Sequence, residues 1–312
     1  MSYKVLICDP FQSEGLSILR DAELDFSYEP AITREELFEK IKEYHAVIVR
    51  SRTKIDKEII DEAGSLRIIV RAGVGLDNID LEAARIKGIK VESTPEALTQ
   101  SVAELAIGLI LAVLRRIAYS DHSMKKGEWI KKQLIGRELK GKTVGVIGVG
   151  GRIGLQVSQI LIHGFKAHVI GYDVVDVADK AGEIGFKTAE SIDELLESSD
   201  IVTLHVPYLP STHHLINKER IEKMKNGAIL INTSRGRIVD GKALLEALKE
   251  GKIIGAGLDV FHDEPPKEDW EKELISHPLT VCTCHIGAQT EEAQKIAAIL
   301  AAELVVQEFK NK

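Results

Sequence analysis

The sequence predicts an α/β protein made of two doubly wound parallel sheets, and three observations carry that expectation. The chain has 312 residues, longer than the roughly 100–200 residues of an ordinary domain, so two cores are expected. Short apolar runs alternate with helical periodicity from residue 3 to 94, the pattern that parallel strands joined by crossover helices produce. The alternation restarts after Gly141-Lys142, and its first strand runs straight into a glycine-rich turn, Gly148-Val149-Gly150-Gly151-Arg152-Ile153-Gly154.

In the first block the apolar runs place strands at 4–9, 46–50, 67–71 and 90–92, with helices near 14–20, 33–42, 57–62 and 81–87. A long helix follows. Ser101 with Glu104 three residues on has the spacing of a capping box, which predicts that the helix opens there and continues past Arg116 towards Lys126. The second block places strands at 143–147, 167–172, 201–205, 228–232 and 254–258, with 280–284 as a last candidate. The closing helix, 291–309, comes after that sheet is complete, so it is expected to cross back onto the first domain. The expected division is 1–98 plus 289–312 against 99–288, the second part carrying a helix and arm over 101–137.

Composition narrows the classes of function. The 41 Lys+Arg against 48 Asp+Glu leave a net charge of −7, which opposes nonspecific attraction to nucleic acid or an anionic membrane. Any anionic ligand must therefore be caught by local positive charge. The longest apolar run, 105–114, falls short of the ~20 residues that span a bilayer, so a buried helix is expected. The first residues lead into a strand without the length or cleavage site of a signal peptide. Three cysteines, Cys8, Cys282 and Cys284, cannot build a dense disulfide framework. A cytoplasmic protein is expected.

The turn after the strand 143–147 suits a dinucleotide. Glycines let the backbone turn sharply and approach a pyrophosphate, while free N–H groups at the helix start neutralise it. Gly148 and Gly150 satisfy the first two positions of G-x-G-x-x-G, but the last glycine arrives one residue late, at Gly154. Asp173 closes the next strand, where a carboxylate accepts both ribose hydroxyls and repels a 2′-phosphate, so NAD is expected over NADP.

Three polar clusters follow later strands: Asn232-Thr233-Ser234-Arg235-Gly236, Leu258-Asp259-Val260-Phe261-His262-Asp263-Glu264-Pro265 and Cys284-His285-Ile286-Gly287-Ala288. Ligands of open parallel sheets bind beyond the carboxyl ends of the strands. Hydride transfer at C2 of a hydroxy acid needs a base for the hydroxyl proton, a cation for the carboxylate and a carboxylate to tune the base. Histidine suits the proton because its ordinary pKa is about 6.5, and arginine offers a planar fork matched to a carboxylate. Arg235, Glu264 and His285 meet that list, but His262 competes with His285, and periodicity does not separate them.

Together these motifs make nearly the whole chain resemble the D-isomer-specific 2-hydroxyacid dehydrogenase family. Further matching stretches are Val49-Arg50-Ser51-Arg52-Thr53-Lys54, Arg71-Ala72-Gly73-Val74-Gly75-Leu76-Asp77-Asn78 and Ser101-Val102-Ala103-Glu104-Leu105. The resemblance implies a flavodoxin-like substrate domain and a Rossmann NAD domain. It implies that Arg235 anchors the substrate's carboxylate and carbonyl, that His285 is the acid/base and that Glu264 pairs with it; on that ground alone His285 is preferred to His262. It puts Gly148, Gly150, Gly151, Arg152, Ile153 and Gly154 at the pyrophosphate, without saying whether Gly150 or Gly151 faces it. It puts Asp173 on the ribose, Asp259 near the nicotinamide amide, and His205, Val206, Pro207, Thr233, Ser234, Gly287 and Ala288 along the cofactor.

Backbone at Val74 and Gly75 is implied to meet the substrate carboxylate, and Arg50 and Ser51 match the family's positions for a substrate phosphate, with Arg71 close by. Lys131 matches a basic position that reaches the phosphate from a partner subunit, which implies a homodimer joined around the long helix and the arm through Trp129. The implied substrate is D-3-phosphoglycerate, oxidised to 3-phosphohydroxypyruvate in the first step of phosphorylated serine biosynthesis. Rival readings are a reductase of glyoxylate, hydroxypyruvate or pyruvate, and an NAD-sensing binding protein like the corepressors similar to this family. With the chain ending at Lys312, no C-terminal regulatory domain is expected. Two departures stand out: Cys284 replaces the usual proline before the histidine, and Leu98 replaces a hinge asparagine. No metal is expected from Cys282 and Cys284, which a strand would point to one face without a further ligand pair.

Overall fold

The computed structural model describes residues 3–310. These divide into two compact units, the chain up to Leu98 together with the stretch from Ala288 on, and Thr99–Gly287.

The first unit contains β1 (Lys4–Ile7), β2 (Asp25–Tyr28), β3 (Ala46–Val49), β4 (Ile68–Arg71) and β5 (Lys90–Ser93), all parallel in the order β2-β1-β3-β4-β5. Central strands of a parallel sheet are covered on both faces, which is why β1, β3 and β4 read as unbroken apolar runs. β2 was not expected: Asp25-Phe26-Ser27-Tyr28 lies at the sheet edge with no residue fully buried, so it lacks the apolar run that announces a strand. The closing helix, Glu291–Lys310, belongs to this unit and packs on the helix Ser13–Asp21 and on β4. Its buried stripe is Ala293, Ala297, Ala298, Ala301, Ala302, Val305 and Phe309.

The second unit contains β6 (Thr143–Ile147), β7 (His168–Tyr172), β8 (Lys187–Thr188), β9 (Ile201–Leu204), β10 (Ala228–Asn232), β11 (Ile253–Leu258) and β12 (Thr280–Cys282). They form one parallel sheet in the order β12-β11-β10-β9-β6-β7-β8. Strand order reverses between β6 and β9, and a crevice for a ligand opens outside the strand ends at such a point.

The long helix departs from expectation at both ends. It begins at Thr99, directly after a 3-10 turn at Pro95–Leu98, so Ser101 lies inside it and is buried. The Ser101 hydroxyl donates to the carbonyl of Gly287 at 2.6 Å instead of capping the helix. At the other end Arg116 takes a left-handed φ of 52°, which separates the helix from a second one, Ile117–Lys125. The stretch Pro95–Leu114 is long and apolar enough to cross a membrane by length and composition, and half of its most apolar window is buried. Ala103, Ala106, Ile107, Leu109, Ile110 and Leu114 pack into a core with β6, β7, β9 and β10. Gly255 and Gly257 on β11 admit the helix: a Cβ on Gly257 would lie 2.9 Å from the Leu109 Cβ, and one on Gly255 2.3 Å from Val113 Cγ1. Adding a methyl at either position overpacks a filled core, at a cost of about 1–3 kcal/mol.

β12 stops at Cys282, so the expected shared strand face for Cys282 and Cys284 does not form. Cys282 is half-buried, and burial pushes its thiol up to about 11. Cys284 lies past the strand and is exposed. Among the described residues no group of three or more His, Cys, Asp or Glu is placed to hold a metal ion.

Candidate active site

In the second unit the glycine turn and the three polar clusters all lie just past the carboxyl ends of strands, where a parallel sheet presents its ligands. Gly148 follows β6 with φ +87°, and a Cβ on Gly154 would lie 2.2 Å from the Gly148 carbonyl oxygen, so a side chain fits at neither position. The doubled glycine has two separate tasks. Gly150 N–H donates to Asp173 Oδ2 at 2.8 Å, while Gly151 is the residue before the helix Arg152–Gln159 and donates to the Gly148 carbonyl. Arg152, Ile153 and Gly154 thus supply the first-turn amides. Asp173 Oδ1 accepts from the amides of Val174 (2.7 Å) and Val175 (3.3 Å), and Lys180 Nζ donates to the Gly150 carbonyl at 2.9 Å.

The turn that presents Arg235 is pinned from within. Asn232, buried at the end of β10, accepts from Ser234 N at 3.0 Å and donates to the Arg235 carbonyl at 2.9 Å. The Ser234 hydroxyl donates to the Leu204 carbonyl at 2.6 Å, tying this turn to the end of β9.

Past β11, Asp259 is 1% exposed and accepts from the Thr283 hydroxyl (2.6 Å), Ile286 N (2.8 Å) and Gly287 N (2.9 Å). Its carbonyl accepts from His285 N at 2.8 Å. These bonds hold His285 at φ 53°, a left-handed conformation that a residue with a side chain adopts only when its surroundings impose it. His285 Nδ1 then meets Glu264 Oε2 at 2.6 Å, and Glu264 Oε1 accepts from Phe261 N at 3.2 Å. Burial pushes the Glu264 carboxyl up, but the His285 hydrogen bond and charge, the Phe261 amide and the Arg235 charge together bring it below its ordinary value. His262 packs edge-on against Trp270, ring centroids 5.9 Å apart. The geometry therefore pairs His285 with Glu264, a choice periodicity left open.

Two buried polar atoms on neighbouring strand ends have no partner within the protein: His205 Nδ1 after β9 and Thr233 Oγ1 after β10. Burial pushes His205 down to about 3, so its ring is neutral, and its Nε2 shares a 3.0 Å hydrogen bond with Thr203 Oγ1. An orphaned buried donor or acceptor costs about 1–3 kcal/mol, which a polar ligand along these strand ends would offset. His205 is also next to the glycine turn, its carbonyl 2.4 Å from where a Cβ on Gly148 would stand. Helix-start amides, a carboxylate after β7 and two orphaned groups after β9 and β10 fit a dinucleotide laid across the ends of this sheet.

In the first unit, Asp9 is 1% exposed and organises the loop after β3. It accepts from Arg50 N (2.5 Å), Arg52 Nε (2.9 Å) and the Thr53 hydroxyl (2.9 Å). Asn78 Nδ2 donates to the carbonyls of Arg50 (2.8 Å) and Thr53 (2.6 Å). The Arg50 guanidinium is half-buried, and burial pulls it below its ordinary value while the charge of Asp9 opposes that pull. Arg71 folds over Gly73, whose amide donates to the Thr94 hydroxyl at 2.8 Å; Ser51 and Val74 are exposed and Gly75 is partly exposed. Lys131 stands exposed on a 3-10 turn, Lys131–Gln133. Asp9 and Asn78 were not foreseen as organisers of this loop; the available signal was a carboxylate closing the apolar run Val5-Leu6-Ile7-Cys8.

The sheet, the glycine turn and the paired His and Glu near an Arg form an arrangement suited to a dinucleotide lying beside an acid/base pair. The sequence model described as "D-isomer specific 2-hydroxyacid dehydrogenase, NAD binding domain" matches residues 107–287. The chain is 46% identical over 302 residues to a D-3-phosphoglycerate dehydrogenase of Methanocaldococcus jannaschii, covering 97% of this chain and 56% of that protein. It is 44% identical over 310 residues to a hydroxypyruvate reductase of Thermotoga maritima, covering 99% and 98%. A glyoxylate reductase structure from Paecilomyes thermophila superposes with a TM-score of 0.90 at 30% identity, covering 100% and 97%. This chain belongs to the D-isomer-specific 2-hydroxyacid dehydrogenase family and carries its NAD-binding domain. It spans little more than half the length of some curated relatives it matches.

Proposed function

We propose that the protein oxidises D-3-phosphoglycerate to 3-phosphohydroxypyruvate with NAD, and runs the reverse reduction with NADH. The observation that carries the choice of a phosphorylated acid is Arg50: its half-buried guanidinium has no hydrogen-bond acceptor among the described residues, and the nearby Asp9 is already spent on the Arg50 amide, Arg52 and Thr53. A substrate phosphate would supply the missing counter-charge, with Ser51 and Arg71 as further donors.

NAD, when bound, would supply the acceptor for a hydride from C2 of the substrate. The ionised Glu264 takes the Nδ1–H of His285, so Nε2 keeps its lone pair and removes the 2-hydroxyl proton. Arg235 holds the substrate carboxylate and polarises the carbonyl as it forms. The Arg152 and Ile153 amides would hold the pyrophosphate, Asp173 the ribose, and His205 and Thr233 the nicotinamide end. Asp259 serves the same end by fixing the 283–287 loop. The exposed Trp129, Ile135, Ile117 and Met124 support a homodimer through the arm, with Lys131 offered to the partner.

One relative that the chain covers almost completely is named a hydroxypyruvate reductase, so an unphosphorylated 2-ketoacid is the second reading. NADH-linked kcat/KM on 3-phosphohydroxypyruvate, hydroxypyruvate, glyoxylate and pyruvate decides between them. A preference of roughly a hundredfold for the phosphorylated acid, equivalent to ~2.7 kcal/mol, is expected from a charged clamp; equal or better turnover of hydroxypyruvate favours the second reading.

A further inference from the structure

Glu264 lies on a segment poorly equipped to hold itself in place. It is followed by Pro265-Pro266, and proline has no N–H to give, so the segment 263–268 offers backbone donors only at 263, 264, 267 and 268. Three of those four go to one side chain. Glu271, 1% exposed on the helix Asp269–Ser276, accepts from Asp263 N at 3.0 Å on Oε1, and from Lys267 N at 3.0 Å and Glu268 N at 3.2 Å on Oε2. These bonds bracket Glu264 on both sides along the chain.

We propose that Glu271 is a positioning residue for the acid/base pair: its buried carboxylate gathers the amides on either side of Glu264 and so sets the Glu264 carboxylate against His285. The proposal rests on the reading of His285 and Glu264 given above. Burial pushes Glu271 up, and its three amides pull it further down, so it is held below the ordinary carboxylate range and stays ionised. That ionisation matters because a glutamine has only one accepting oxygen. It can keep the Lys267 and Glu268 bonds or the Asp263 bond, and its NH₂ then faces the amide left over. A plain structural role is the rival reading, since Glu268 and Glu271 also form the capping box of this helix.

A double-mutant cycle separates the two. Glu264→Gln, Glu271→Gln and the double variant are compared for kcat with 3-phosphohydroxypyruvate and hydroxypyruvate, alongside NADH affinity. Glu271→Gln is expected to lower kcat by about 5–10-fold with NADH affinity unchanged, while the double variant is no slower than Glu264→Gln alone within about twofold. Losses that multiply in the double variant, or an unchanged kcat in Glu271→Gln, overturn the positioning role. An unchanged kcat in Glu264→Gln overturns the acid/base reading instead. Should the glutamine variant not fold, the same cycle with Glu271→Asp decides: the charge stays, but a side chain one methylene shorter cannot reach all three amides.

Discussion

Each unit buries an aspartate just past a strand end, and the two spend their oxygens differently. Asp9 in the first unit takes a guanidinium, Arg52, along with the Arg50 amide and the Thr53 hydroxyl, so its charge is balanced locally. Asp259 in the second takes only neutral donors, the Thr283 hydroxyl and the amides of Ile286 and Gly287. The first arrangement uses up the carboxylate on the Arg50 amide, Arg52 and Thr53 rather than on the Arg50 guanidinium. The second holds a histidine in a left-handed conformation that its own backbone would not choose. On the proposed function, the first clamp serves the reading of charge and the second serves the chemistry.

Three substitutions test that contrast. The largest effect is expected from His285→Asn, which should keep NADH affinity and lower kcat by the ~10²–10⁴-fold typical of losing a general acid/base. Near-normal turnover would move the base to His262 or to water. Next, Asp259→Ala strands three donors and should cost about 3 kcal/mol in chemical denaturation, together with activity on every substrate. Asp9→Ala should cost less, because Arg52 still donates to the carbonyls of Cys8, Pro30 and Ile32, and its activity loss should be confined to phosphorylated acids. An equal loss on all substrates from Asp9→Ala would erase the distinction between the two clamps.

The smallest effect is a pH dependence. Glu264 is lowered in the folded protein, so its contribution to stability is present above the ordinary glutamate value of about 4.3 and disappears as pH falls through the lower folded value. The stability difference between the protein and Glu264→Gln should therefore hold steady from neutral pH to about 5 and shrink only below about 4. A difference that fades between pH 7 and 5 would mean that another group carries it.

The sheets and the polar loops past their strand ends were legible because parallel strands announce themselves as apolar runs and ligands gather where those runs end. β2 was not, being a short polar edge strand. Ser101 was misread because capping-box spacing is a local signal, whereas its hydroxyl bonds to Gly287, which follows the last strand of the sheet. The break at Arg116 carries no Gly or Pro to mark it. Nothing in the spacing told the surroundings of His285 from those of His262; in the structure the first stands on a loop tied to Asp259 and meets Glu264, and the second packs on Trp270. Asp9 and Glu271 stayed hidden for one physical reason: whether a carboxylate is a solvated surface group or a buried clamp depends on amides that only the folded backbone brings to it.

The most direct test of the division between charge reading and chemistry is a crossed measurement of kcat/KM, with Arg50→Ala and His285→Asn each assayed on 3-phosphohydroxypyruvate and on hydroxypyruvate. His285→Asn should depress both substrates alike, whereas Arg50→Ala should lower the phosphorylated one by about a hundredfold and leave the other within a few-fold. Equal losses on both substrates in Arg50→Ala would contradict the phosphate clamp and leave a 2-hydroxyacid dehydrogenase with a different acid to find.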